Sequence, residues 1–334
     1  MEEKILEVKN LVTQFAMDKH MVTAVNDVSF DILRGHSLGI VGESGSGKSA
    51  MALSLMRLIT PPVGTVTGKA IMLEGKDILQ FSPKEMEAIR GNRMAMIFQE
   101  PMTSLNPVYT IGDQIIETIQ CHQKVLAKEA KERCLDLLTL VGIAAPQRRI
   151  SEYPHQLSGG MRQRVMIAIA LACSPSILIA DEPTTALDVT IQAQIMELLQ
   201  KLQNETQMGI ILITHDLGVV AEVCDQVAVM YCGRIIEKCS VQAIFNTPLH
   251  PYTQALLDAI PLLTTGTDNR SHRLCTIEGV VPPLYDLPIG CNFQDRCPNA
   301  ADTCSRMQPL LQEVLPGHFV ECFYPLHIEG STTN

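Results

Sequence analysis

The stretch Gly42-Glu43-Ser44-Gly45-Ser46-Gly47-Lys48-Ser49 follows directly on the apolar run Leu38-Gly39-Ile40-Val41 and constrains this chain more than any other. Its spacing, G-x-x-x-x-G-K-S, is that of a loop that wraps a phosphate. Small residues at Gly42, Ser44, Gly45, Ser46 and Gly47 let successive backbone N–H groups curl around anionic oxygens. Lys48 reaches the β- and γ-phosphates, and the Ser49 hydroxyl is placed to ligate Mg²⁺. A helix expected from about Lys48 to Ile59 aims its positive end at the same anion.

The flanking sequence supplies strands and helices in a readable order. Residues 5–33 alternate apolar and polar, as in Ile5, Glu7, Val8 and again Val28, Phe30, Ile32, which predicts an antiparallel strand layer ahead of the loop. Phe15 lies in that layer, where it either packs in the core or stacks on a purine. Ser82-Pro83-Lys84-Glu85 is a helix start with Ser as cap and Glu three residues on. Met94–Phe98 reads as a buried strand ending at Gln99. From Thr110 to Val141 the period becomes helical through Ile111, Ile115 and Ile119 and then Ala130, Cys134, Leu137 and Leu138, with Gly142 as C-cap.

Ser158-Gly159-Gly160 opens a further helix whose uncovered first-turn N–H groups could receive a phosphate, although a plain capped helix reads the same way. Ile177-Leu178-Ile179-Ala180 is a continuous apolar run of the central-parallel-strand kind and ends in Asp181-Glu182. In open α/β sheets, ligands collect at such carboxyl ends. A helix bearing Ile191, Ile195, Leu198, Leu199 and Leu202 then leads to a second run, Ile210–Ile213, which ends in Thr214-His215-Asp216.

Composition narrows the partners. A net charge of −10 argues against a nucleic-acid footprint, which is normally basic. The best apolar run, Val165 to Cys173, is about half of the roughly 18 residues needed to span a bilayer, and the N-terminus lacks a signal-peptide apolar region. The expected compartment is the cytosol, and any membrane attachment then runs through a protein partner. Seven of the eleven cysteines are scattered and are expected to be small buried apolar residues, whereas Cys291, Cys297, Cys304 and Cys322 cluster in a candidate metal segment. Past Pro261 the pattern weakens, Thr264-Thr265-Gly266-Thr267 is linker-like, and little periodicity is expected from Val281 onward. The domain boundary is placed there, giving 1–260 and a 261–334 extension.

Taken together, these motifs resemble the ATP-binding cassette (ABC) ATPases of transporters over about residues 5–245. Gly42–Ser49 is similar to the Walker A loop, Gln99 to the Q-loop, Leu157–Gln163 to the signature, Ile177–Glu182 to Walker B, Ala186-Leu187-Asp188 to the D-loop and His215 to the switch histidine. His250-Pro251-Tyr252 with the downstream cysteines resembles the dipeptide/oligopeptide importer subfamily, which also serves nickel, glutathione and antimicrobial peptides. Residues 98–107 are similar to that subfamily's Q-loop, with Glu100 where Asp is usual.

The resemblance implies an α/β P-loop NTPase cassette: a RecA-like core, an antiparallel β layer, a helical insert at about 100–165 and a small Cys-rich extension. It implies ATP hydrolysis with Mg²⁺ held by Ser49, Gln99 and Asp181. Glu182 would be the base, Gln99 would orient the water and His215 would contact the γ-phosphate. Ser158, Gly159, Gly160 and Asp188 would complete a site across two subunits, the other commonly a paralogue. The implied assembly adds two transmembrane permeases and an extracytoplasmic peptide-binding protein, at the cytoplasmic face of the membrane.

Gly290–Pro298 matches the extension in which some relatives hold a [4Fe–4S] cluster, with Zn²⁺ as the runner-up at the four cysteines. Their C-x₅-C-x₆-C-x₁₇-C spacing is wider than a usual zinc knuckle and unlike a ferredoxin. Unligated thiols or disulfides are the bland alternative from the sequence alone, and the resemblance shifts the balance to the cluster. Two other classes fit less well. An ABC ATPase of DNA maintenance would carry a long coiled coil or a basic face, and an iron–sulfur redox protein would carry a flavin or nicotinamide motif.

Overall fold

The computed structural model describes residues 3–17, 20–99, 104–184, 188–260 and 277–327. Glu100, Ala186, Leu187, Cys275 and the expected boundary with its linker at 261–267 lie outside them. The amino-terminal layer is built on two long antiparallel strands, β1 (Lys4–Met17) and β2 (His20–Leu33), as the alternation predicts. Strands β4 (Gly64–Thr67), β5 (Ala70–Leu73) and β6 (Lys76–Asp77) complete this five-stranded sheet.

The second sheet carries the site. Its centre is five parallel strands in the spatial order β10 (Gln226–Tyr231), β3 (Ser37–Val41), β9 (Gly209–Ile213), β8 (Ile177–Asp181) and β7 (Met94–Ile97). Both faces are covered, which explains the continuous apolar runs. Ile177 and Ile179 of β8 pack towards the amino-terminal sheet, whereas Leu178 and Ala180 pack towards the helical side. Period-two alternation thus feeds two separate cores from one strand.

The helical insert follows the predicted stripe. Helix α3 (Ile111–His122) and helix α4 (Ala127–Leu140) bury Ile111, Ile115, Ile119, Ala130, Cys134 and Leu138. Gly142 takes φ 76° just past the second of these, as a C-terminal glycine should. Upstream, α2 (Pro83–Ile89) starts on the predicted capping box between Ser82 and Glu85.

Three expectations change. Helix α1 after the phosphate loop spans Lys48–Leu55 and stops short of Ile59. Arg57 turns to φ 48° and donates to the carbonyls of Ile78 and Phe81, which leads the chain out of the helix. Cys121 is exposed rather than buried, because it falls two residues after Ile119, off the apolar stripe. Cys224 is half-buried, whereas Cys134, Cys173, Cys232 and Cys239 are buried as expected.

The third change is in the tail. Strands β12 (Gln312–Leu315) and β13 (His318–Val320) form a hairpin around Pro316-Gly317, with Gly317 at φ 71°. Strand β13 pairs with β11 (Arg234–Ser240), extending the main sheet to eight strands. Buried pairs fasten it: His318 Nε2 meets Glu237 Oε1 at 2.7 Å, and Arg234 Nε lies 2.9 Å from Glu321 Oε1. Both sides of these links are nearly or fully desolvated, so removing one partner leaves a costly orphan.

Candidate functional site: an anion loop beneath a carboxylate, an amide and an imidazole

The phosphate loop leaves the carboxyl end of β3 and enters α1 through Gly47, whose φ is 100°. A Cβ at Gly47 would sit 2.3 Å from the Ala24 carbonyl oxygen, so only glycine lets the loop pass beneath β2. Gly45 has open space around it, and there the φ of 80° is what demands glycine. The amino end of α1 has no side-chain cap. Its first-turn N–H groups therefore stay available to an anion.

Lys48 is buried and folds back over the loop. Its ammonium donates to Gly42 O at 2.7 Å, Glu43 O at 2.9 Å and Ser46 Oγ at 3.3 Å. Burial pushes its pKa down from the ordinary lysine value, while the charges of Glu182, Asp181 and Glu43 oppose that shift. A cavity of about 300 Å³ opens above these groups, lined by residues 44–50, Ala24, Gln99, Glu182 and Leu284.

The remaining groups come from neighbouring strand ends. Asp181 closes β8 and is 4% exposed. Burial pushes its carboxyl pKa up, against the hydrogen bond from Ser49 that lowers it. Asp181 Oδ1 has no hydrogen-bond partner among the described residues. A buried, unsatisfied carboxylate oxygen beside a serine hydroxyl is an oxygen donor set of the kind Mg²⁺ takes, so the residues fit that ion.

Glu182 follows at φ 46°, a strained conformation for a non-glycine residue, held by its N–H donating to Ile213 O at 2.9 Å. The strain turns its carboxylate to the cavity. There Oε2 accepts from Gln99 Nε2 at 2.9 Å, and Oε1 lies 3.5 Å from His215 Nδ1.

Ser158, Gly159 and Gly160 open α6 (Gly159–Leu171; α5 is the single turn Pro146–Arg149) and do not line this cavity. Ser158 is exposed and caps its helix by accepting from Met161 N at 3.4 Å. Asp188 likewise caps α7 (Val189–Thr206), accepting from Ile191 N at 3.0 Å. Phe15 is half-buried on β1 between Val22 and Gly64 and does not line the cavity either.

A profile described as "ABC transporter" matches residues 25–185, and one described as "Oligopeptide/dipeptide transporter, C-terminal region" matches residues 236–304. Oligopeptide transport ATP-binding protein AppD of Bacillus subtilis is 51% identical over 319 residues, covering 96% of this chain and 96% of that protein. Dipeptide transport ATP-binding protein DppD of Haemophilus influenzae is 50% identical, covering 98% and 97%.

The chain belongs to the peptide-transporter branch of the ABC ATPases.

Its fold agrees with that membership. A dimeric post-hydrolysis structure of the ATP-binding cassette MJ0796, bound to ADP and Pi, superposes with a TM-score of 0.63 and 28% identity, covering 71% of this chain and 98% of that one. No helix among the described residues of this ABC ATPase is long and apolar enough to cross a membrane.

The tail of the cassette holds a second constellation. Cys291, Cys297, Cys304 and Cys322 all line one pocket together with His250, Phe293, Phe323 and Tyr324. All four are free thiols, and no three of their sulfurs lie within 4.8 Å of one another. Burial pushes Cys291 to about 11 and Cys322 to about 12, so as unligated groups both are neutral at physiological pH.

The one close trio of ligating side chains among the described residues is Glu237, Cys239 and His318. Glu237 is already satisfied there, accepting from Leu249 N at 2.7 Å and His250 N at 2.9 Å besides its His318 contact. Sequence reasoning overlooked Leu284 and Glu43 with its tail partner Arg296. Leu284 had no motif to mark it, and Arg296 stood inside the quoted Gly290–Pro298 stretch without a role.

Proposed function

We propose that this protein is the ATP-hydrolysing subunit of a membrane importer of di- or oligopeptides, working at the cytoplasmic membrane face. The observation that carries the reading is the Gln99–Glu182–His215 chain over a loop that buries Lys48. Lys48 and the loop amides hold the phosphates. Asp181 and Ser49, with Gln99, would hold Mg²⁺, and the ion would supply positive charge against the developing phosphate charge. Glu182 takes the proton of the attacking water, Gln99 orients that water through its amide, and His215 contacts the γ-phosphate. Phe15 is assigned to the purine, from its half-buried place on β1 between β2 and β4.

Ser158, Gly159, Gly160 and Asp188 belong to a composite site. They cap nucleotide held by the opposing ATPase, here taken to be a paralogous chain. The dimeric state of the solved MJ0796 cassette supports two ATPases facing each other, whether or not they are identical. Two permeases and an extracytoplasmic peptide-binding protein complete the assembly. A nickel or glutathione cargo leaves the nucleotide chemistry unchanged.

The four-cysteine pocket is assigned to a [4Fe–4S] cluster with a structural role. A tetrahedral zinc site with Zn–S near 2.3 Å holds its four sulfurs about 3.8 Å apart, whereas no three of these lie within 4.8 Å of one another. The wider spread favours a larger group.

Proteoliposomes carrying the assembled complex test the function: they should accumulate a labelled dipeptide only with binding protein, Mg²⁺ and ATP. Hydrolysis that ignores every peptide, or uptake that needs no ATP, would refute it.

A further inference from the structure

Glu43, the second residue of the phosphate loop, is held by groups from the carboxyl-terminal third of the chain. Its N–H donates to Tyr252 Oη at 2.9 Å. Its carboxylate receives both arms of Arg296, with Nη1 2.7 Å from Oε2 and Nη2 3.1 Å from Oε1. The Arg296 side chain is 3% exposed, and its Nε donates to Glu278 O at 3.0 Å. Its guanidinium lies 5.8 Å from the ring centres of both Tyr231 and Phe293, so the fork is fixed from several sides.

The same Glu43 offers its carbonyl to Lys48 at 2.9 Å. A chain of contacts thus runs from Arg296 through Glu43 to the lysine that meets the phosphates. Leu284, from the same tail, lines the cavity itself. A loop with three glycines loses much backbone freedom when it closes on an anion. Holding one of its residues beforehand reduces that loss.

We propose that Arg296 is a positioning residue for nucleotide: by clamping Glu43 it pre-forms the phosphate loop, and the tail is thereby a working wall of the ATP site. The inference rests on the ATP-site reading above. The clamp sits one residue before Cys297, so the order of the cysteine segment and the shape of the loop are mechanically linked.

The test uses the full-length chain in its assembled complex, with a fluorescent ATP analogue for binding and a phosphate-release assay for turnover. Arg296→Met should raise the analogue's Kd and the KM for ATP about tenfold while kcat changes about twofold or less, as loss of a charged fork to a preorganised loop implies. Arg296→Lys should recover part of that loss. Glu43→Gln should reproduce it from the loop side, and Glu43→Gln with Arg296→Met should be no worse than Arg296→Met alone. Should Arg296→Met fail to assemble, Glu43→Gln and Arg296→Lys carry the comparison. Unchanged Kd and KM in these variants, with only a lowered Tm, would reduce the clamp to a fold contact and overturn the proposal. A wild-type complex that bound no ATP analogue would instead defeat the site itself.

Discussion

Gln99 and Glu182 close on each other across the ends of β7 and β8, the amide Nε2 donating to carboxylate Oε2 at 2.9 Å. The contact fixes one carboxylate oxygen and leaves the other beside His215. Glu182→Gln keeps the shape and can still accept from Gln99 but loses basicity. ATP should bind near normally while turnover falls by about two to four orders of magnitude, the usual worth of a general base. Near-normal hydrolysis by a correctly assembled variant would remove Glu182 from that role. Lys48→Ala should weaken nucleotide binding itself.

Ser158→Arg separates a composite site from a self-contained one. Ser158 is exposed at the start of α6 and does not line the chain's own nucleotide cavity. The bulky side chain should leave binding by the isolated chain intact and abolish ATP-driven dimerisation, measured by light scattering, together with hydrolysis by the complex. A strictly monomeric chain turning over at full rate, indifferent to this change, would rule out the sandwich.

The cysteine pocket makes a colour prediction. Anaerobically purified protein should be brown, absorb broadly near 400 nm and hold about four irons per chain. Cys297→Ser should lose the colour and make the tail protease-sensitive. Colourless anaerobic protein with stoichiometric zinc, or with no metal, would exclude the cluster.

His250 makes stability depend on pH. Its Nδ1 caps α10 (Pro251–Asp258; α8 is Leu217–Val223 and α9 Val241–Asn246) by accepting from Tyr252 N at 3.0 Å. Burial pushes its pKa down to about 4 from the ordinary 6.5. Between those values the unfolded chain binds the extra proton and the folded one does not, so stability is complete above about 6.5 and is lost as pH falls towards 4. The full effect is about 3 kcal/mol. His250→Asn keeps an acceptor at the cap and removes the titration. Its urea midpoint should drop less than the wild type's between pH 7.5 and 4.5, and parallel curves would disprove the assignment.

Much of this was legible in order along the chain. The phosphate loop, the capping box at Ser82 and the helical stripe from Ile111 to Leu138 are local patterns of spacing and burial. The β12–β13 hairpin was equally local, signalled by Pro316-Gly317 between alternating residues, but its strands are only four and three residues long. Such short runs are lost among prolines.

What the sequence by itself determined is therefore the chemistry of each strand end: an anion loop after Val41, an amide after Ile97, two carboxylates after Ala180 and an imidazole after Ile213. Tertiary structure decided their neighbours. Strand order places β9 and β8 between β3 and β7, so Lys48, Gln99 and Glu182 line one cavity and His215 stands beside Glu182, 3.5 Å away. It also set Arg296 against Glu43 across 253 residues. Periodicity reports only which face of an element is buried. Which elements share an edge depends on non-local sheet pairing and on the burial that rewards it, and no local pattern encodes that choice.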